Sequence, residues 1–226
     1  MTAYFCIVSH NNHRVKIYMQ DGTEKRRRGR PPAYDRAAAV QAITGRFWQH
    51  GLSGTALDDL AAATAMNRPS LYAAFGDKAG MFETALAAYR AQAATRIAAA
   101  LATPGPLAQA LEAAFAEALA VYGAGDAQPR GCFAMTTLPA EAEDPRRREA
   151  LAEMIALTDS AFAGRLQAAV KAGELPAGFD CATNGQLLAS LLHSIALRVR
   201  SGASRDRLLA LARAGIASTL QGGLPA

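Results

Sequence analysis

Residues 55–75 read TALDDLAAATAMNRPSLYAAF. Leu57, Leu60 and Ala61 fall at i, i+3 and i+4, the apolar stripe of a helix about two turns long, and small Ala61 lets a neighbour approach closely. Leu71 and Phe75, four apart, mark the buried side of a second short helix. Thr55 stands where the first helix needs an N-cap, with Asp58 three positions on as the acid of a capping box. Asn67 suits the N-cap of the second, and Pro69 its first turn. Two short helices joined by a tight turn make a helix-turn-helix. The outer face of the second then carries Asn67, Arg68, Ser70 and Tyr72, donors suited to phosphate oxygens and base edges.

So short a pair cannot bury a core alone. Upstream, Val40, Ile43 and Phe47 share one face of a helix that begins near Tyr34 and closes at Gly51. Phe47 and Trp48 supply the missing core. Downstream, Gly76 and Asp77 end the second short helix. An alanine-rich helix then runs from about Lys78 to Leu101, roughly 36 Å at 1.5 Å per residue. Turn-forming TPGP, GAGDAQPRG, EDP, AGELPAG and SGAS divide the remainder into helices near 106–123, 131–140, 145–173, 181–201 and 204–220. Strand-type alternation is absent after residue 24. The expected fold class is all-α. It comprises a three-helix DNA-binding domain over 34–77 and a larger helical effector-binding and dimerisation domain over 78–226. A flexible N-terminal extension with a basic arm occupies 1–33.

The arm is KRRRGRPPAYD, residues 25–35. The 226-residue chain has 24 Lys+Arg against 19 Asp+Glu, a net charge of +5, and six bases face one acid between Lys25 and Arg36. A basic cluster on a near-neutral body points to local contact with a polyanion. Gly29 and the proline pair keep it extended, so Arg26, Arg27, Arg28 and Arg30 suit a narrow A·T-rich minor groove. Cys6, Cys132 and Cys181 lie far apart, without the spacing of a disulfide framework or a zinc site. The expectation is a cytoplasmic protein with no cofactor, no metal and no membrane partner.

The segment HGLSGTALDDLAAATAMNRPSLYAAFGDKAGMF resembles the DNA-binding domain of the tetracycline-repressor (TetR) family. The likeness is close over about 34–85: an aromatic-ended helix, G-x-x-x-T, the helix-turn-helix, then L-Y-x-x-F-x-x-K. RGCFAMTTLPAEAEDP and SGASRDRLLALARAGI resemble one branch of that family. Ala65 departs from it, since this turn usually holds glycine; alanine in a left-handed turn costs roughly 1–2 kcal/mol. By position, the resemblance assigns Thr55, Tyr72 and Lys78 to phosphates and Arg68 and Ser70 to the major groove. It also implies a homodimer on a near-palindromic double-stranded operator, with two recognition helices about one DNA turn apart.

The resemblance places a small-molecule effector pocket between the long helix and the helices of 106–173. Candidates by position are Tyr89, Phe115 and Tyr122, then Cys132, Phe133 and Met135, then Met154, Phe162 and His193. Aromatics and methionines at helical spacing also read as plain core, and His193, alone on an apolar face, also suits a core or interface histidine. Cys132, in a helix's first turn after Arg130, is in a setting that lowers a thiol pKa. Some electrophile-sensing repressors resemble this arrangement, although a small buried hydrophobe is the simpler reading. Leu188, Leu191, Leu192 and Ile195, with Leu208 and Leu211, form the apolar faces on which the family pairs.

No Ser/His/Asp order, paired carboxylates or phosphate-cradling glycine loop is present, so catalysis is not expected. The expected function is a ligand-responsive transcriptional regulator, a repressor released from its operator by a small molecule or a reactive electrophile or oxidant. The alternatives are a non-specific nucleic-acid binder acting through the arm, and an inactive signalling or scaffold dimer. Removing residues 1–30 is expected to weaken DNA binding while most sequence preference persists. The salt dependence should flatten, by about 0.9 in the log–log slope for each phosphate that the arm neutralises. Titrations at several salt concentrations test this, and an unchanged slope rules out an arm that grips DNA.

Overall fold

The computed structural model describes residues 34–123 and 128–221, and all the regular structure in them is helical. The basic arm at Arg26, Arg27, Arg28 and Arg30 lies outside the described residues. The helices are α1 (Arg36–His50), α2 (Leu57–Thr64), α3 (Arg68–Phe75), α4 (Lys78–Leu101), α5 (Leu107–Val121), α6 (Phe133–Thr137), α7 (Pro145–Lys171), α8 (Cys181–Arg200) and α9 (Arg205–Gln221). A 3₁₀ turn, Leu138–Glu141, continues α6. Each predicted helix is present, and the expected all-α class holds for the described residues.

Local chemistry sets most of the ends. Asp35, Asn67, Asp77, Asp144 and Asp180 each accept from backbone N–H groups at the starts of α1, α3, α4, α7 and α8. Gly51 and Gly76, at φ 73° and 78°, turn the chain after α1 and α3, a backbone state glycine adopts without a Cβ clash. The turn between α2 and α3 holds Ala65 at φ 53°, ψ 28°. Its alanine therefore keeps the left-handed turn that glycine makes more easily.

The start of α2 differs from expectation. The N-cap is Ala56, and its N–H donates to Asp59 Oδ2 at 3.0 Å. Asp58 is therefore not the capping acid. Thr55 is buried, and its hydroxyl donates to the Gly51 carbonyl at 2.7 Å. It stitches the turn between α1 and α2.

Core packing then fixes the helices on one another. Ile43, Phe47, Leu60 and Leu71 are fully enclosed between α1, α2 and α3. Phe47 meets Phe82 of α4 edge-on at 5.2 Å, which seats this trio on the long helix. The body stacks α5, α7, α8 and α9 around Phe115, Phe162, Leu188 and Ile195. At α7–α8, a Cβ on Gly185 would run into the backbone of Ala163, so only glycine allows this approach. Among the described residues, no helix is long and apolar enough to cross a membrane.

Replacing Ala65 with glycine removes the left-handed penalty, offset by the greater flexibility of the unfolded chain. The expected gain is about 1 kcal/mol in unfolding free energy. Chemical denaturation of Ala65→Gly measures it, and a loss of stability would contradict the turn described here.

Candidate nucleic-acid interface and cavity

In α3, Leu71 and Phe75 point into the core while Asn67, Arg68 and Tyr72 face outward, Tyr72 being 50% exposed. Asn67 Oδ1 accepts from the Ser70 N–H at 2.9 Å, fixing the helix N-terminus, and Ser70 is half-buried. Arg68 forms a two-point pair with Asp58 of α2: Nε to Oδ1 at 2.8 Å and Nη2 to Oδ2 at 2.5 Å. The carboxylate holds the guanidinium pKa above its ordinary value. Lys78 Nζ donates to the Thr55 carbonyl at 3.2 Å, tying the start of α4 to the entrance of α2. Asn67, Arg68 and Tyr72 are thus exposed on α3, with Ser70 half-buried among them. Thr55 is buried behind it.

Sequence reasoning missed two arginines that position this surface. Arg36 donates to the Ala74 carbonyl at 3.0 Å with its guanidinium 4.7 Å from the Phe75 ring centre, clamping the C-terminal end of α3. Arg46 pairs with Asp59 at 3.2 Å, joining α1 to α2.

A cavity lies between α4, α5, α7 and α8. Of the candidates, Tyr89, Tyr122, Cys132, Met154 and His193 line it, and so does Leu192, which the sequence placed at a dimer interface. Phe115, Phe133, Met135 and Phe162 do not. Phe115 and Phe162 stack on each other at 5.7 Å, and Phe133 packs on Phe82 and Tyr89. These side chains are core.

The cavity is mostly apolar, and its polar groups are largely paired. Arg96 and Glu117 bond each other at 2.9 Å, and the Thr158 hydroxyl donates to the Met154 carbonyl at 2.9 Å. The exception is His193: its Nε2 is buried and has no partner among the described residues. Desolvation lowers the imidazole pKa, partly opposed by Asp159, so the ring stays neutral at neutral pH.

Of the two readings of Cys132, the structure fits the small buried hydrophobe and not the activated thiol. The residue is 1% exposed, and burial pushes its thiol pKa up, although hydrogen bonds from Tyr89 and from the N–H groups of Met135 and Ala134 oppose the rise. Tyr89 donates to its sulfur at 3.2 Å. The cation expected beside the thiol lies elsewhere, because the Arg130 guanidinium sits 4.5 Å from the Trp48 ring centre.

Cavity and helix-turn-helix meet at Trp48, near the end of α1. Its indole N–H donates to the Gly131 carbonyl at 3.0 Å, and its ring packs edge-on against Tyr89 at 4.9 Å. Arg200, at the end of α8, donates to the carbonyls of Trp48 and Arg130, each at 3.3 Å.

The leucines expected to pair two copies are mostly committed within one chain. Leu188, Leu192, Ile195 and Leu208 are buried here, which leaves them no surface to offer a partner. Leu191 and Leu211 are half-buried, Leu191 packing over Gly215 of α9. Leu187 and Leu197, 54% and 55% exposed, are the large apolar residues that α8 presents outward.

Residues 40–85 match the family model "Bacterial regulatory proteins, tetR family", and residues 106–215 match "Tetracyclin repressor-like, C-terminal domain". The HTH-type transcriptional repressor ComR of Escherichia coli (strain K12) is 32% identical over 195 residues, 83% of this chain and 90% of that protein. The chain belongs to the TetR family. A second relative of this TetR-family regulator, the transcriptional repressor BdcR of the same organism, is 26% identical, over 81% of this chain and 88% of its own length. Among solved structures, a cysteine mutant of the TetR-family regulator CifR, complexed with 26-bp double-strand operator DNA, superposes with a TM-score of 0.75. That chain is 28% identical, and the match covers 84% of this chain and 99% of the other.

Alkylation should distinguish the two described cysteines. Cys132, buried and with a raised pKa, is expected to react with iodoacetamide at neutral pH more slowly than half-buried Cys181. Peptide mass spectrometry follows both sites, and faster labelling of Cys132 would show an activated thiol.

Proposed function

We propose that this TetR-family regulator acts as a homodimeric repressor that reads a near-palindromic DNA site with α3 and leaves it when a small molecule fills the cavity. One observation carries the reading: Leu71 and Phe75 anchor α3 while Asn67 and Arg68 at its N-terminal end, and Tyr72 one turn on, stand outward. A helix presented in this way enters the major groove with its first residues at the base edges. The operator complex of CifR, similar over nearly all of that chain, supports the same role here. Asn67, Arg68, Ser70 and Tyr72 serve as the reading surface, and Lys78 adds charge at the start of α4. Residues 34–77 form the DNA-binding domain and 78–226 the regulatory and dimerisation domain. Arg26, Arg27, Arg28 and Arg30 precede α1 and act as an accessory grip on the phosphate backbone.

Dimerisation uses the surface that α8 leaves open. Exposed Leu187 and Leu197, with half-buried Leu191 and Leu211, are the apolar side chains whose burial between two copies would favour association. The effector is a small neutral molecule, mainly apolar, with one hydrogen-bonding group for His193 Nε2. Paired Arg96 and Glu117 leave no uncompensated charge to hold an ion, and burying an unpaired charge there is costly. The buried, protonated Cys132 thiol favours such a ligand over an electrophile or oxidant.

Selection of bound duplexes from random DNA, with light scattering on the isolated protein, tests the reading. The expected outcome is a dimer that enriches an inverted repeat with half-sites about one helical turn apart. Charged Leu187→Glu/Leu197→Glu protein should be monomeric and lose most operator affinity. Phenol or a short neutral alcohol should release the DNA better than benzoate. A monomer that binds a non-palindromic site, or equal affinity for random and selected duplexes, would overturn the proposal.

A further inference from the structure

Asp58 suits the first turn of α2 as a carboxylate, but its pairing with Arg68 adds little to the fold. Both side chains are more than half exposed, at 71% and 56%, where an ion pair adds little to stability. It also has a cost for simple DNA grip, because a carboxylate on the α2 surface beside the reading helix repels phosphate.

The geometry resolves the conflict. A guanidinium offers two forked edges, one from Nε and Nη2 and one from Nη1 and Nη2. Asp58 occupies the first, with Nε on Oδ1 and Nη2 on Oδ2. The terminal edge remains, and among the described residues Nη1 has no partner. That edge matches the O6 and N7 acceptors of guanine in the major groove, the commonest base-specific arginine contact. Unsupported, a long arginine side chain would settle on any nearby phosphate, and binding two atoms of a rigid planar group to a carboxylate removes most of that freedom. Asn67, which caps α3, and Asp59, which accepts from the Ala56 N–H ahead of α2, hold the two helix starts that carry the pair.

We infer that Asp58 is a specificity-positioning residue: it holds the Arg68 guanidinium so that its terminal edge reads a guanine in each half-site. This rests on the reading of α3 as the recognition helix. Asp58 thus trades some general attraction to DNA for base discrimination.

The test compares four full-length proteins, the parent, Asp58→Asn, Asp58→Glu and Arg68→Ala, by selection from random duplexes and by titration on selected and scrambled DNA. Melting temperatures check that each variant is folded; the exposure of Asp58 makes unfolding a minor concern. The parent should enrich one guanine per half-site, and Arg68→Ala should lose that preference. Asp58→Asn should reduce the discrimination at that position by about tenfold while binding scrambled DNA as well as, or better than, the parent. Asp58→Glu keeps the charge near the start of α2 but displaces the carboxylate, so it should show the same relaxed preference. A purely structural role for Asp58 would instead weaken binding to all duplexes alike and be rescued by Asp58→Glu. Retention of the guanine preference in both Asp58 variants, with its loss in Arg68→Ala, would overturn the inference but keep α3 as the reader. An unchanged base preference in Arg68→Ala would overturn both.

Discussion

Trp48 is the joint on which the arrangement turns. A buried indole N–H must find an acceptor, and this one finds the carbonyl of Gly131 in the segment leading to α6. The ring is enclosed by Tyr89, Phe133 and the guanidinium of Arg130. Arg200 closes the joint from α8 by donating to the carbonyl of Trp48 itself. Gly131 permits it: the residue sits at φ 72°, and a Cβ there would collide with the Ala196 carbonyl of α8. The helix that supports the helix-turn-helix is therefore registered against a loop, a cavity wall and the C-terminal end of α8 at once.

This registration gives the proposed regulation a physical path. Tyr89 and Cys132 bond each other and line the cavity. Tyr89 packs on the Trp48 ring, and Cys132 follows Gly131, the acceptor of its indole N–H. A ligand that displaces Tyr89 moves the surface on which the Trp48 ring packs and so changes the preferred orientation of α1 relative to α8. Ligand and DNA then compete by favouring different members of one ensemble, with no need to touch each other. The long helix α4 takes part as well, since it carries both Tyr89 and Phe82, the seat of Phe47. The route through α1 is the shorter one.

How much of this was legible in the sequence follows from the range of each interaction. The helix-turn-helix was readable because its determinants are local: Asn67 caps the helix that begins one residue later, and Leu71 and Phe75 define its buried side within one turn. The turn at Ala65 was flagged only by the family resemblance, which puts glycine there, and its left-handed state is a finding of the structure. Thr55 misled because a threonine ahead of a helix looks the same whether it caps that helix or, as here, donates backwards to Gly51. Stripes of leucine declare a buried face without declaring what buries it, so Leu188, Leu192, Ile195 and Leu208 read as an interface while belonging to the core of one chain. For Cys132 the sequence offered both an activated thiol and a small buried hydrophobe, and only the packing of distant helices decides for the second. The contact of Arg200 with Trp48 left no trace, since they are 152 positions apart and the acceptor is a backbone carbonyl that any residue would supply.

The chain contains one tryptophan, so the joint can be watched directly. The deciding measurement is the emission of Trp48 as the selected operator duplex is added and then displaced by a cavity ligand, in the parent and in Arg200→Ala. Operator and ligand are expected to shift the emission in opposite directions, and Arg200→Ala to blunt the ligand's effect on both emission and DNA release. A ligand that released DNA from both proteins equally and left Trp48 emission unchanged would contradict a joint at Trp48.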